Sequence, residues 1–174
     1  MTRAVFLDRD GVINRAIVRD GKPHPPASVD ALEVLAGVPD ALLRLREAGF
    51  RLIVVTNQPD VARGAQTREA VEAMHARLAS ELAIDDVLAC YHDGDSCDCR
   101  KPKPGALIDA AQRHGVELER SFMIGDRWRD IEAGQRAGCR CLFVDNGYHE
   151  QQPDAPFVRV PSLAAAADWI LENQ

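Results

Sequence analysis

No apolar run in this 174-residue chain approaches the roughly 18 residues that a membrane-spanning helix requires. The opening stretch from Met1 to Leu7 meets Asp8 too soon for a secretory signal peptide, which predicts a cytoplasmic protein. Positive charge is in deficit: 21 Lys and Arg stand against 27 Asp and Glu, for a net charge of −6. A duplex nucleic-acid binder usually shows a basic face, so nucleic acid is disfavoured as a partner. A local basic strip (Arg100, Lys101, Lys103, Arg127, Arg129) keeps end processing open as an alternative. An acidic total does not exclude anionic small molecules, because a metal ion can supply local positive charge. Internal repeats, low-complexity stretches and linkers are all missing, which predicts one domain over residues 1–174, working as a monomer. A chain of this length buries on the order of 70% of its unfolded surface and needs no disulfide staple.

Short apolar runs alternate with longer segments of helical period. Strands are predicted at Arg3–Leu7, Phe50–Val55, Val87–Tyr91, Ser121–Ile124 and Arg140–Val144. Helices are predicted at Pro39–Ala48, Thr67–Leu82, Pro104–His114, Trp128–Ala137 and Ala164–Leu171. Arg15–Val38, with Pro23, Pro25 and Pro26, reads as a long loop. Strand–helix alternation predicts an α/β fold: a three-layer, Rossmann-like parallel sheet. Ligands of such sheets gather beyond the carboxyl ends of the strands. There the first strand delivers Asp8 and Asp10, the second Thr56 and Asn57, and the fourth Gly125 and Asp126. Lys101 lies in the loop after the third.

Asp8 and Asp10, two residues apart with Gly11 following, can share one pocket as nucleophile and general acid/base. A carboxylate that attacks phosphorus is repelled by the phosphoryl oxygens, so a cation such as Mg²⁺ and a third carboxylate are expected. Asp126 supplies the third, with Asp130 four residues on. The Thr56 hydroxyl and the Lys101 ammonium can bind the transferring oxygens. The bland alternative is a surface turn at Asp8–Gly11 and a strand cap at Thr56–Asn57, in a non-catalytic phosphoryl-binding or zinc-knuckle module.

The ordered set FLDRDGVIN, VVTNQ, RKPKPG and IGDRWRD resembles the four motifs of the haloacid dehalogenase superfamily of phosphohydrolases, across essentially the whole chain. The resemblance implies that Asp8 forms an aspartyl-phosphate and that Asp10 protonates the leaving oxygen, then activates water. It implies Mg²⁺ bound by the Asp8 carboxylate, the Asp10 main-chain carbonyl and Asp126. Lys101 rather than Lys103 matches the third-motif lysine, and Asp130 supports the site from behind. The intervals from Asp10 to Thr56 and from Thr56 to Lys101 are filled by predicted elements, so no separate cap domain is expected. Specificity then falls to residues 15–26, 58–64 and the cysteine loop.

Five cysteines are the chain's one surplus. Without a secretory signal, metal chemistry is favoured over disulfides. Cys90, His92, Cys97 and Cys99 supply three thiolates and one imidazole, enough to close a tetrahedral structural zinc site over residues 90–99. Cys139 and Cys141 share one strand face and are expected in the core. The zinc loop resembles the superfamily branch that holds the heptose 1,7-bisphosphate and histidinol-phosphate phosphatases. That branch implies a small phosphorylated metabolite, most simply D-glycero-D-manno-heptose 1,7-bisphosphate, with histidinol phosphate as the alternative. It implies substrate contacts from Asn57, Gln58, Arg63, Arg100 and Arg127. Pro59-Asp60 and Ala16–Pro26 depart from the branch where substrate would be chosen.

Overall fold

The structure, a computed structural model, describes residues 2–174. In chain order the elements are β1 (Arg3–Leu7), β2 (Ile17–Arg19), β3 (Lys22–His24), α1 (Val38–Glu47), β4 (Phe50–Asn57), α2 (Arg68–Glu81), β5 (Asp86–Cys90), α3 (Gly105–His114), β6 (Phe122–Gly125), α4 (Trp128–Ala137), β7 (Arg140–Val144), β8 (Val158–Val160) and α5 (Leu163–Glu172). Six strands form one parallel sheet in the order β5-β4-β1-β6-β7-β8.

The central strands are apolar at nearly every position because both faces are covered. Successive side chains alternate between two cores. Val5, Leu7, Leu52 and Val54 pack with α1, α2 and α5. Ala4, Phe6, Ile53 and Val55 pack with α3 and α4. Cys139 and Cys141 are buried in the second core, as their spacing predicts. Thr67 caps α2 by accepting from the Ala70 N–H at 3.2 Å, and Gly138 ends α4 in the left-handed region.

Three features depart from the sequence reading. The segment expected as a loop at Arg15–Val38 contains the antiparallel β2–β3 hairpin, closed by Asp20 and Gly21. Its strands are mostly exposed and carry Pro23, so neither apolar alternation nor a clean turn signal marks them. A sixth strand, β8, adds to the sheet edge, too short at three residues to show a period. β4 runs on through Asn57, which places Thr56 within a strand and fixes its side chain more tightly than a loop would.

The chain passes from β1 to β4 and β5 on one side and to β6 and β7 on the other. β1 and β6 therefore flank the point where strand order reverses, the usual place for a ligand crevice.

Helix α4 docks through Gly134, where a Cβ would come within 2.6 Å of the Cys141 sulfur and the Met123 Cβ. On an exposed helix, Gly→Ala stabilises by about 1 kcal/mol. Here overpacking should reverse the sign, so Gly134→Ala is expected to destabilise by about 1–3 kcal/mol, read from the urea midpoint.

Candidate active site

Asp8 follows β1, and its backbone N–H bonds the Ile124 carbonyl of β6 at 2.9 Å. Its side chain meets Lys101, whose Nζ lies 2.8 Å from Asp8 Oδ1, 2.7 Å from Asp130 Oδ1 and 2.7 Å from the Val55 carbonyl. Lys101 is 1% exposed, hydrogen-bonded to Asp8 and the Val55 carbonyl and ion-paired with Asp130. Burial works against the ammonium, but Asp130 and Asp8 more than offset this and raise its pKa. Burial, with the Asp130 charge, pushes Asp8 up to about 6 despite the lysine. Asn57 holds the Lys101 backbone reciprocally: its Nδ2 donates to the carbonyl at 3.0 Å and its Oδ1 accepts the N–H at 3.1 Å. The Asn57 amide is thereby engaged with protein, although it lines the cavity.

Asp10 is gripped from three sides. Arg9 donates to both of its oxygens at 3.0–3.1 Å, Asn14 Nδ2 to Oδ1 at 3.0 Å, and Gln58 Nε2 to Oδ2 at 3.0 Å. Gln58 also donates to the Thr56 hydroxyl at 2.9 Å, which links the two buried side chains to Asp10.

Asp126 closes the carboxylate group. One ligand atom each from Asp8, Asp126 and Asp130 lie within 4.8 Å of one another. Tyr148 donates to Asp126 Oδ2 at 2.7 Å, and Asn146 Nδ2 does so at 3.2 Å while also donating to the Gly11 carbonyl. Gly11 makes room for them: at φ +85° it takes a left-handed turn, and a Cβ there would overlap Asp126 Oδ2. Asp126 Oδ1 is buried with no protein partner. Burial, with the charges of Asp8 and Asp130, holds Asp126 far above the carboxylate range. An orphaned oxygen among buried like charges fits a divalent cation with oxygen ligands, as Mg²⁺ is. Asp130 is otherwise committed, to Lys101 and to the Arg127 N–H at 3.0 Å.

A cavity of about 270 Å³ opens over Asp8 and Asp10, walled by the β2–β3 hairpin, residues 57–60 and four arginines. Arg63 and Arg100 both reach Asp93 of the cysteine loop, at 2.8 and 2.7 Å, and hold its carboxyl far below the usual range. Arg127 is paired with Glu150 at 2.5–3.1 Å. Arg129 stacks over the Trp128 ring, 4.8 Å from its centroid. The structure thus brings together all the expected catalytic residues, and Arg63, Arg100 and Arg127 reach the cavity already paired with carboxylates.

Cys90, His92, Cys97 and Cys99 also converge. The Cys90 sulfur lies 3.1 Å from Cys99 Sγ, 3.7 Å from Cys97 Sγ and 3.5 Å from His92 Nδ1; Cys99 Sγ is 3.4 Å from the same nitrogen. A tetrahedron with Zn–S of about 2.3 Å has edges of roughly 3.8 Å. The Cys90–Cys97 edge matches, the Cys90–Cys99 edge is shorter, and a closed cluster of three sulfurs and one imidazole is the donor chemistry of zinc. Burial and the adjacent sulfurs push the Cys99 thiol up.

These features match known proteins. The HAD-hydrolase-like family model matches residues 98–169. The D-glycero-beta-D-manno-heptose-1,7-bisphosphate 7-phosphatase of Escherichia coli K12 is 36% identical, with 98% of this chain and 88% of that protein covered. The enzyme of the same name from Salmonella typhi is 39% identical over 98% of this chain and 90% of that protein. The chain belongs to the HAD-like phosphatase family. Among solved structures, the D,D-heptose 1,7-bisphosphate phosphatase of B. bronchiseptica, complexed with magnesium and phosphate, superposes with a TM-score of 0.82. It is 30% identical and covers 99% of this chain and 100% of that one.

Sequence reasoning assigned no role to Arg9 or Asn14 and overlooked Asn146, Tyr148 and Glu150. The rule that ligands gather beyond strand ends, carried on to β7, would have found Asn146 and Tyr148. No local signal marks Arg9's link to α2, which spans distant parts of the chain. Removing the Tyr148 hydroxyl tests the support it gives Asp126. Tyr148→Phe is expected to fold normally and to weaken Mg²⁺ binding about 10- to 100-fold in a calorimetric titration.

Proposed function

We propose that the chain is a Mg²⁺-dependent phosphomonoester hydrolase that works through an aspartyl-phosphate at Asp8. Its substrate on this reading is D-glycero-D-manno-heptose 1,7-bisphosphate, cleaved at the 7-phosphate. The observation that carries the reading is the buried meeting of Asp8, Lys101 and Asp126 beside a firmly held Asp10, at the carboxyl edge of the sheet. The names of the relatives support the substrate.

Asp8 attacks phosphorus while the bond to the leaving oxygen breaks, and Asp10 gives that oxygen its proton. Water then attacks the aspartyl-phosphate, its proton passes to Asp10, and the bond from phosphorus to Asp8 breaks. Mg²⁺, held by the Asp8 carboxylate, the Asp10 main-chain carbonyl and Asp126, would neutralise the negative charge that opposes attack. Lys101 and the Thr56 hydroxyl bind the transferring oxygens, and Asp130 fixes Lys101 between them. Asn57 and Gln58 serve the substrate chiefly by holding Lys101 and Asp10.

Residues 90–99 hold a structural zinc through Cys90, His92, Cys97 and Cys99, inserted before Lys101 in a single phosphatase domain with no separate cap. The zinc shapes the loop that presents Arg100. Arg100, Arg127 and Arg63 face the sugar and its second phosphate, exchanging part of their hold on Asp93 and Glu150 for the ligand. The enzyme works in the cytoplasm as a monomer on a small phosphorylated metabolite, with neither membrane nor nucleic acid as partner. Among the described residues no helix is long and apolar enough to cross a membrane.

Three measurements test this reading. Asp8→Asn should release no phosphate while its circular dichroism matches that of the parent, and heptose bisphosphate should give the highest kcat/KM in a panel with histidinol phosphate and other sugar phosphates. Retained turnover in the variant overturns the mechanism, and a preference elsewhere overturns the substrate. Protein never exposed to chelator should carry about one zinc per chain, reduced in Cys99→Ser. A content far below one in the parent overturns the zinc site.

A further inference from the structure

The largest fully buried side chain is Arg9, to which the steps above give no part. Its Nε and Nη2 hold both oxygens of Asp10, while its Nη1 lies 3.0 Å from Nε2 of His75, in the middle of α2. A guanidinium only donates hydrogen bonds. His75 Nε2 is therefore the acceptor, so the ring is neutral with its proton on Nδ1. Burial and the neighbouring guanidinium push the His75 pKa down to about 4, which keeps it an acceptor at neutral pH.

We propose that His75 is a positioning residue for proton transfer: by accepting Nη1 it fixes the plane of Arg9, and the Arg9 fork fixes the Asp10 carboxyl against the leaving oxygen. Asn14 and Gln58 each bond one Asp10 oxygen. Only Arg9 spans both, so its plane sets the twist of the carboxyl group. Arg9 is 0% exposed, and an Nη1 stripped of His75 loses its only hydrogen-bond acceptor. The guanidinium must then rotate toward another acceptor, and the fork on Asp10 loosens with it. The inference rests on the phosphatase reading, since it needs Asp10 to be the acid.

Leaving-group dependence tests it. A sugar alkoxide needs a proton to depart, whereas p-nitrophenolate leaves as the anion. The steps through cleavage of the leaving-group bond are read in kcat/KM. His75→Leu removes the acceptor, and His75→Gln replaces it with an amide oxygen. With Mg²⁺ present, His75→Leu should lose about tenfold or more in kcat/KM on a sugar phosphate, and about threefold at most on p-nitrophenyl phosphate. His75→Gln should recover most of the loss. Equal losses on both substrates, no loss, or failure of His75→Gln to recover while it folds would each overturn the proposal. If His75→Leu does not fold, His75→Met, unbranched and lacking a strong acceptor, takes its place with the same expectations. Parent protein and Asp8→Asn run alongside. A parent inert on both substrates overturns the phosphatase reading, whereas an active parent with equal losses in the variant overturns only the role of His75.

Discussion

Everything at the carboxyl edge of the sheet depends on one buried ammonium. Lys101 sits 1% exposed between Asp8 and Asp130. Removing either kind of charge from water is expensive, and the cost is offset only when every partner is in place. Breaking such a pair by deleting one member typically costs about 3–5 kcal/mol. The loops that follow β1 and β5 and the first turn of α4 must therefore settle together or leave a charge stranded. Asn57 contributes from β4 by pinning the Lys101 backbone.

Much of this was legible in the sequence because its causes are local. Val5 and Leu7 alternate with Ala4 and Phe6 because a strand's two faces each need a core. The DRDG, TN, KPKP and GDRWRD segments follow strands or precede helices, where an α/β sheet exposes its polar residues. What escaped was non-local or too short. The β2–β3 hairpin has no apolar face to announce it, and β8 offers three residues. His75 reads as an ordinary helix residue, and only the fold shows that it faces Arg9.

The site divides into two halves with different chemistry. Around Lys101 the charges are buried, fully partnered and fixed. Around the cavity rim, Arg63 and Arg100 share the single carboxylate of Asp93, and Arg127 is held by Glu150. The rim pairs are more exposed, so exchanging a partner costs less there than in the interior. A phosphate dianion can compete for the rim arginines without disturbing the ammonium beneath. The cysteine cluster joins the halves, because Asp93 lies inside it and Lys101 follows directly after it.

The segment after β7 binds these parts more closely than a surface loop usually does. Asn146 and Tyr148 hold Asp126, the His149 N–H bonds the Gly21 carbonyl at the hairpin turn, and Glu150 takes Arg127. Four of the five residues from 146 to 150 thus reach the metal-binding carboxylate, the β2–β3 hairpin and a rim arginine. Substitutions that retune the β2–β3 hairpin for a new substrate will travel through this segment to Asp126. In this chain, selectivity and catalytic power are therefore inherited together, on the 58–64 side as well, where Gln58 holds Asp10 and Arg63 holds Asp93.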